Sequence, residues 1–535
     1  MTFTLRLFIV FLIAAITRLL LLYFFPVHLT DYHLIETAAD NLTNGYGMGF
    51  QRASVQDLSH FYFEGLRLWP PLITLVTALM NHLTGNPLLA NFILISVSML
   101  GTLWIVYKLT KTISLNENWS LVLFAFLALN PEVIKQPGLS DVISVFFCLW
   151  AILIAIEWIQ TSETKTVFQL ISISFLFFLP SAFRYQYYPV SIIFPVAILF
   201  YGLNTKNKRL TKASLTCLTL VAIFILLQEV LIYSYTGQTI TAPVQQDNSG
   251  IYPRNLLETY PFFPKTFANT SYLENTWQHF FLPHRYHYFL LAFLLFCVWC
   301  CLLIKKLSTS KTIEPSRNFT IGFILSVLLF IILTLAALSL TNQSQQNVHG
   351  NWTFLMEGRY FIVPSILLLL LSLWLMQQYY SQKQKRIQKL IQLILSLVLL
   401  YNGILTIKFY YNIANRNIPS QKPEGESERT LIGDFLQKKA NESTIPLVIC
   451  TEDPSVGFYP HHKNIAVTES GIKSLSSNTI RTTKAVNLCL IVVKNKGLYT
   501  NELSLETKAK TLYQTKNYQI YSIHIEPHQQ LKLLD

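Results

Sequence analysis

The feature that most constrains this chain is a series of almost uncharged stretches, each roughly 17 to 25 residues long, within the first 411 residues. An α-helix needs about 20 apolar residues to cross about 30 Å of hydrocarbon. The stretches therefore predict eleven membrane-spanning helices, at residues 5–25, 88–107, 119–136, 142–159, 166–183, 187–203, 213–235, 286–304, 319–340, 360–379 and 390–411. A further apolar stretch at 69–85 is shorter and ends in polar residues, so it either spans the membrane or lies in the interface.

Composition excludes a soluble globule of ordinary surface. Of the 535 residues, 52% are hydrophobic and only 13% are charged, which predicts a polytopic α-helical membrane protein. The formal net charge of +13 does not indicate a nucleic-acid partner, because the basic clusters lie in the connections between spans. The clusters are Lys108 with Lys111, Lys165, 206–212, 305–317 and 383–389.

The positions of these clusters predict the orientation of the chain. If 69–85 is interfacial and the N-terminus is cytoplasmic, every basic cluster falls on the cytoplasmic side, which is the positive-inside pattern. The loops 26–87 and 236–285 and everything after residue 411 then lie outside. A bacterial inner membrane fits this arrangement, and the membrane of the endoplasmic reticulum is the alternative. Membrane lipids are expected partners, because basic clusters attract anionic headgroups.

The region after the last span has a different character. Residues 1–411 form the predicted transmembrane domain, and the polar, Pro-containing stretch 412–428 indicates a linker. Residues 429–535 predict a small extracytoplasmic α/β domain. The segment "ERTLIGDFLQKKA" has helical spacing, whereas "IPLVIC", "VNLCLIVV" and "YQIYSIHI" are typical of strands. Two of these strands carry Cys450 and Cys489, and the sequence leaves open whether they pair.

Acidic residues gather directly after the predicted first span, in "DYHLIETAADNLTNGYGMGF" at 31–50. Asp31 comes first, and Glu36 and Asp40 follow at near-helical spacing. A carboxylate at this position can accept a proton from an attacking group or hold a metal ion. The alternative is a solvated loop rich in capping residues.

A second acid lies at the same predicted rim of the membrane. Asp141 ends "NPEVIKQPGLSD" and directly precedes a predicted span. Helix N-capping explains one such acid by itself. Two carboxylates on one predicted outer face favour a functional site over chance.

Four motifs in this order resemble the polyprenyl-phosphate-sugar-dependent membrane glycosyltransferases of the C superfamily, notably the protein O-mannosyltransferase and aminoarabinose transferase branch. The motifs are Asp31 followed by "GYGMGF", "PPL" at 70–72, "P…LSD" at 131–141 and "GRYF…P" at 358–364. They cover the membrane part of the chain, up to about residue 380. The resemblance implies that Asp31 is the catalytic base and that Asp141 supports the site or a metal.

This chain departs from the family pattern at one point. The family often has two adjacent acids in its first motif, whereas Tyr32 follows Asp31 here. Glu36 or Glu64 is the candidate for the second carboxylate. No cofactor is certain. A divalent metal stays open, with Asp31 and Asp141 as its ligands if one is bound.

Two arginines at predicted outer helix ends are candidates for binding the donor phosphate. Arg184 lies in "FRYQYYP" and Arg359 in "EGRYF", each beside tyrosines, and Tyr360 belongs to the motif shared with the family. Arginines at the membrane rim are costly and are usually paired or functional. Anchoring in an aromatic belt is the alternative. His349 precedes Arg359 by ten residues and is a further auxiliary candidate.

The predicted function is that of an inverting glycosyltransferase. It would move a sugar from a polyprenyl-phosphate donor to a lipid, glycan or protein acceptor on the outer face. No glycine-rich phosphate loop is present, so an ATP-driven protein is not expected. Two alternatives remain from other classes: a transporter or flippase for a lipid-linked solute, and a non-catalytic subunit of envelope assembly.

Overall fold

The structure, a computed structural model, describes part of the chain. The described residues are a few positions between 5 and 16, then 30–66 without 55, 69–129, 139–161, 165–237, 262–267, 285–309, 315–341, 345–346, 352–353, 358–380, 385–414, 423–451, 464–468, 481–494 and 510–529. The predicted first span at 5–25 lies mostly outside these residues.

Helices dominate the described residues. In chain order they are α1 (Thr30–Thr43), α2 (Pro71–Thr84), α3 (Pro87–Thr112), α4 (Glu117–Leu129), α5 (Leu139–Thr161), α6 (Val167–Phe183), α7 (Tyr188–Asn204), α8 (Lys208–Thr236), α9 (Phe262–Phe267), α10 (Arg285–Thr309), α11 (Pro315–Thr341), α12 (Ile362–Tyr380), α13 (Lys385–Ala414) and α14 (Pro423–Glu442). Short 3-10 helices occupy Tyr185–Tyr187 and Gly358–Phe361.

The strands lie between α1 and α2, between α11 and α12, and after α14. They are β1 (Gly49–Ala53), β2 (Phe61–Gly65), β3 (Gln345–Gln346), β4 (Trp352–Thr353), β5 (Leu447–Thr451), β6 (Ile465–Thr468), β7 (Val486–Val493), β8 (Lys510–Gln514) and β9 (Tyr518–Ile525). The predicted helix in 428–440 and the three predicted strands of this region are confirmed. The helix begins at Pro423, inside the stretch 412–428 predicted as a linker.

Within the described part of the chain, eight helices are long and apolar enough to cross a membrane, by length and composition. Each coincides with a predicted span, and they are α3, α5, α7, α8, α10, α11, α12 and α13. The shorter apolar helices α4 and α6, of 13 and 17 residues, occupy the predicted spans at 119–136 and 166–183. The chain is a polytopic α-helical membrane protein, as the apolar stretches predict.

The apolar stretch at 69–85 forms α2. This helix begins behind Pro70 and ends at Gly85, whose φ of 63° is left-handed and whose N–H donates to the Asn81 carbonyl. Its 14 residues extend over only about 21 Å at the helical rise, which is short of the hydrocarbon thickness. This length favours the interfacial alternative.

The chain divides into two compact units. The first consists of Met1–Leu19, Ile93–Glu229 and Thr241–Ile413, and the second of Leu20–Phe92, Val230–Ile240 and Ala414–Asp535. The second unit therefore combines the predicted first outer loop with the region predicted to be a separate C-terminal domain.

The core of the first unit is built around α12. Every residue from Ile362 to Leu375 is buried, as expected for a helix that is apolar on all faces. The helices α10 and α13 differ, because only 11% and 17% of their apolar windows are buried. They expose rows of leucines such as Leu290, Leu294, Leu393 and Leu397. Apolar surfaces of this extent fit contact with lipid.

The second unit contains a seven-stranded mixed sheet. Its strand order is β2-β1-β6-β5-β7-β9-β8, so two strands from the first loop extend a sheet formed by the C-terminal region. The strands β1, β6, β5 and β7 run parallel, and β2, β9 and β8 are antiparallel to their neighbours. The sequence prediction missed β1 and β2, which it took as part of a loop.

The two faces of this sheet have separate cores. On one face, Ile432, Leu436 and Ala440 of α14 pack against residues that include Cys489. Cys450 belongs to the core on the opposite face, with Ala53 and Leu58. The strand register pairs Cys489 with Ile449, so the Cys450 side chain points away from that of Cys489. The two side chains lie on opposite faces of the sheet, and the open question of a Cys450–Cys489 disulfide is answered against it.

The glycines of "NGYGMGF" shape the entry to β1. Gly45 and Gly47 have φ values of 82° and 103°, in a region that disfavours residues with a side chain. A Cβ at Gly49 would lie 2.1 Å from the Glu64 carbonyl oxygen. These positions allow the chain to leave α1, turn sharply and pair β1 closely with β2.

The pairing of β1 with β6 can be tested by cross-linking. Ala53 and Thr468 are partners in the parallel register, so their side chains share a face. We expect the double variant Ala53→Cys/Thr468→Cys to form a disulfide under mild oxidation, because paired strands fall within the Cα separation that a disulfide needs. Mass spectrometry of the linked peptides measures its yield.

The matched control is Ala53→Cys/Val467→Cys. Val467 precedes Thr468 and its side chain points to the other face, so little cross-link is expected. Equal yields in the two variants would contradict the register.

Candidate functional site

Arg184 lies at the point where α6 ends. The helix begins with a capping box, in which Thr166 Oγ1 accepts from the Gln169 N–H (3.3 Å) and Gln169 Oε1 accepts from the Thr166 N–H (2.9 Å). At the other end, Arg184 has extended backbone angles (φ −153°, ψ 117°), while its N–H donates to the Pro180 carbonyl. The 3-10 turn Tyr185–Tyr187 then leads into α7. The arginine is therefore attached at a fixed bend between two helices.

Arg184 forms a buried ion pair with Asp141. The distance between Arg184 Nε and Asp141 Oδ1 is 2.7 Å, and the side chains are only 10% and 2% exposed. Asp141 lies in the first turn of α5, where the helix dipole favours an anion, and the end of α6 favours a cation. The sequence predicted the two residues at the same rim, and the structure brings them into contact.

Tyr360 contributes an aromatic face to the same site. Arg184 Cζ lies 5.0 Å from the centroid of the Tyr360 ring, within the range of a cation–π interaction. Arg184 Nη2 is buried and makes no hydrogen bond to any residue that the structure describes. A buried charged donor without an acceptor is costly. The position therefore fits an oxygen of an anionic ligand.

A polar network that the sequence did not reveal lies one turn further along. The Tyr188 hydroxyl donates to Glu229 Oε1 (2.9 Å) and accepts from Gln228 Nε2 (2.6 Å). The Tyr188 ring also contacts that of Tyr185, with centroids 5.7 Å apart. The aromatic cluster "FRYQYYP" was the available signal, but only its arginine was singled out. Glu229 gives this end of the first unit a second carboxylate.

Three predicted site residues have side chains outside the described part of the chain: Asp31, Arg359 and His349. The backbone of Asp31 lies in the first turn of α1, and that of Arg359 in the 3-10 helix Gly358–Phe361. Because Tyr360 follows Arg359 directly, the Arg359 backbone is one residue away from the contact with Arg184. The roles of these three residues stay predictions.

Glu36 is a buried member of an ion cluster in the second unit. Its Oε2 atom lies 3.0 Å from Nη1 of Arg429 in α14 and 3.3 Å from His33 Nδ1. Burial raises the pKa of Glu36, but the hydrogen bond from His33 and the charge of Arg429 outweigh burial and lower it to about 2. Glu36 is therefore ionised at neutral pH and engaged in this cluster. The spacing of His33 and Glu36 was a possible signal, but nothing in the sequence indicated Arg429.

Asp40, one turn after Glu36, has the opposite shift. Burial raises its pKa, the negative charge of Glu36 raises it further, and the hydrogen bond from Asn81 and the charge of Arg429 compensate only in part. The resulting pKa is about 6, well above the ordinary value of 3.8. Its Oδ1 atom accepts a long hydrogen bond from Asn81 Nδ2 of α2 (3.4 Å).

Glu64, the other candidate for the second carboxylate, lies in β2. Its Oε2 atom accepts from Arg52 Nε (2.6 Å), and Arg52 also donates to the Thr468 carbonyl (3.1 Å). The Glu64 side chain is 43% exposed. These contacts join β2, β1 and β6 across the edge of the sheet, and the predicted auxiliary role of Glu64 stays a prediction.

The described residues include no group of three or more His, Cys, Asp and Glu side chains placed to hold a metal ion. At Asp141, the nearby Arg184 guanidinium also disfavours a second cation. The assignment of Asp31 and Asp141 as metal ligands stays a prediction.

Comparisons with known proteins gave similarity to solved structures but no match in sequence. No protein-family model matches this chain, and no curated protein matches it. The crystal structure of ArnT from Cupriavidus metallidurans bound to undecaprenyl phosphate is similar over 97% of each chain, with 11% sequence identity and a TM-score of 0.43. A likeness of this size adds nothing to the argument from the residues.

Replacing Asp40 should change the pH dependence of stability. A raised pKa in the folded state means that stability is lost as pH rises from about 4 through about 6, by roughly 3 kcal/mol at most. We expect Asp40→Asn to raise the unfolding temperature at pH 7.5 and to leave it nearly unchanged at pH 4. Thermal unfolding of the purified protein at both pH values measures this.

Asp57→Asn is the control of opposite sign. Burial raises the pKa of Asp57, but hydrogen bonds from Ser59 and Thr483 outweigh burial and lower it. Its charge therefore stabilises the fold above the ordinary pKa, and its loss should lower the unfolding temperature at pH 7.5. A shift of the same sign in both variants would contradict the assignment of Asp40.

Proposed function

We propose that this protein is a membrane glycosyltransferase that takes its sugar from a polyprenyl-phosphate donor, and that Arg184 binds the donor phosphate. The observation that carries the proposal is the Arg184 guanidinium, which is buried beside Asp141 and Tyr360 with Nη2 unbonded to any described residue. An isoprenoid tail stays in the bilayer and presents its phosphate near the ends of the spans. Arg184 lies at such a helix end.

The chemistry requires a cation at the phosphate. When an acceptor hydroxyl or amine attacks the anomeric carbon, the bond from that carbon to the phosphate oxygen breaks and the phosphate gains negative charge. A preorganised cation in a site with little water stabilises this developing charge more than the ground state. A guanidinium suits the role, because its planar set of donors can engage two phosphate oxygens.

The ion pair with Asp141 orients Arg184 in this proposal. Asp141 balances the charge of the free site and holds Nε, while the Tyr360 ring supports one face of the guanidinium. Arg359, next to Tyr360, is the second proposed phosphate ligand. Asp31 is the proposed base that removes the acceptor proton, with inversion at the anomeric carbon. His349, Glu36 and Glu64 keep their auxiliary roles as proposals only.

The remaining proposals concern place and acceptor. We place the reaction on the outer face of a bacterial inner membrane, with the N-terminus in the cytoplasm and the residues after 411 outside. The acceptor is a lipid, a glycan or a protein. The proposed reaction needs no nucleotide cofactor, because the lipid phosphate is the leaving group.

Transfer of radiolabelled sugar tests the function directly. The purified protein is incubated with short-chain polyprenyl-phosphate sugars and with extracted membrane lipids and proteins. We expect label to move with the wild type and not with Asp31→Asn, which removes a base without changing volume. Donor binding should be unaffected in this variant. Donor that binds to the wild type but is not consumed across several sugars would overturn the proposal.

Arg184→Lys tests the phosphate site. Lysine keeps the charge beside Asp141 but loses the planar donors, so we expect kcat/KM for the donor to fall roughly tenfold to a hundredfold. The unfolding temperature should change little. Steady-state kinetics with varied donor concentration measure the effect.

Lys306→Gln is the matched control for Arg184→Lys. Lys306 is also a cation over a tyrosine ring, 5.7 Å from the centroid of Tyr379, but it belongs to a cluster predicted to be cytoplasmic. Its loss should leave transfer unchanged. If Arg184→Lys behaved like this control, Arg184 would not bind the phosphate.

A further inference from the structure

The helix that carries Asp31 is embedded in the second unit. After its first turn, α1 is buried over most of its length, with Ile35 at 1% exposure and Ala38 and Ala39 at 0%. Asp31 precedes Glu36 by five residues, which is about 7.5 Å along a helix axis. Any rotation or shift of the buried part of α1 therefore moves the backbone of Asp31.

The charge inside this buried segment depends on the C-terminal region. Glu36 carries a full negative charge near neutral pH, and Arg429 of α14 lies 3.0 Å from it, 393 residues away in sequence. Removing one partner of a buried ion pair leaves the other charge uncompensated, which costs far more than losing an exposed pair. The ion pair therefore stabilises α1 in the position where Glu36 contacts Arg429.

Arg429 is itself held in place by its neighbours. Glu428, directly before it, is buried and accepts hydrogen bonds from the Thr515 hydroxyl (2.7 Å) and from the backbone and side-chain N–H groups of Asn517 (3.2 and 3.0 Å). Ile432 and Leu436 anchor the next turns of α14 on the sheet. The helix α14 therefore offers a fixed point from which the guanidinium reaches α1.

We propose that Arg429 is a positioning residue: through its ion pair with Glu36 it holds α1, and with α1 the first turn that carries Asp31, in the orientation needed for transfer. The inference rests on the proposed role of Asp31 as the base. It gives the C-terminal region a part in the reaction that does not require contact with either substrate.

The experiment compares Arg429→Gln and Arg429→Lys with the wild type. If Arg429 positions the base, Arg429→Gln should lower kcat about tenfold to a hundredfold with little change in KM for the donor, since small displacements of a catalytic group have effects of this size. Arg429→Lys restores the charge and should recover part of kcat. If Arg429→Gln only reduced the amount of folded protein, total activity would fall in proportion to that amount. The kcat per folded molecule would then stay at the wild-type value in both variants.

Lys439→Gln is the matched control. It removes one positive charge from the same helix by breaking an exposed pair with Glu442 (3.0 Å). We expect no change in kcat. Unchanged kcat in Arg429→Gln, or a rise in KM alone, would overturn the positioning role.

Hydrogen–deuterium exchange of residues 30–43 separates this inference from the proposed function. Arg429→Gln should speed exchange in this segment by about a hundredfold, and Lys439→Gln should not. Faster exchange in a protein whose wild type transfers no sugar would support the tie between Arg429 and α1 and reject the glycosyltransferase proposal. Unchanged exchange in Arg429→Gln would reject the tie itself, whatever the activity.

Discussion

A charge taken out of water must be matched by a counter-charge close by, and this constraint governs both units of the protein. In the first unit the matched pair is Arg184 with Asp141, and in the second it is Arg429 with Glu36. Both carboxylates, Asp141 and Glu36, are buried, so the desolvation cost is large and removal of one partner is strongly unfavourable. The backbone around each pair is correspondingly fixed, by the bend after α6 in one case and by the buried body of α1 in the other.

The parts of the fold that sequence could predict are those specified by local pattern. Length and polarity alone identified the helices that match the predicted spans, because each lipid-exposed or core helix must be apolar over its own length. Alternation and β-branched runs identified the strands at 447–451, 486–493 and 518–525. Arg184 and Asp141 were singled out for the same local reason, since a charge at the end of an apolar helix is conspicuous.

The parts that sequence could not predict depend on pairing between distant segments. No feature of the segment "GFQRA" indicates that it pairs with Ile465–Thr468. Its short length, with three glycines nearby, is equally typical of a loop. Arg429 is one of several charges on a polar helix, and only the fold places it against Glu36. The shifted pKa values of Glu36 and Asp40 are consequences of that packing. Likewise, strand register decides whether the Cys450 and Cys489 side chains share a face of the sheet. A shift of one strand by one residue would move its cysteine to the other face.

The two ion pairs also differ in what must fold before they can form. Arg184 and Asp141 lie at the ends of consecutive helices. Their ion pair can therefore form within a local helical hairpin during synthesis. The partner of Glu36 lies 393 residues later in the chain. The parallel pairing of β1 likewise cannot form until β6 has been synthesised. Because domains form from the N-terminus during synthesis, α1 emerges long before the charge that balances Glu36 exists. The segment that carries Asp31 can therefore reach its final packing only after the C-terminal region has folded, which makes the ordering of this helix dependent on a complete chain.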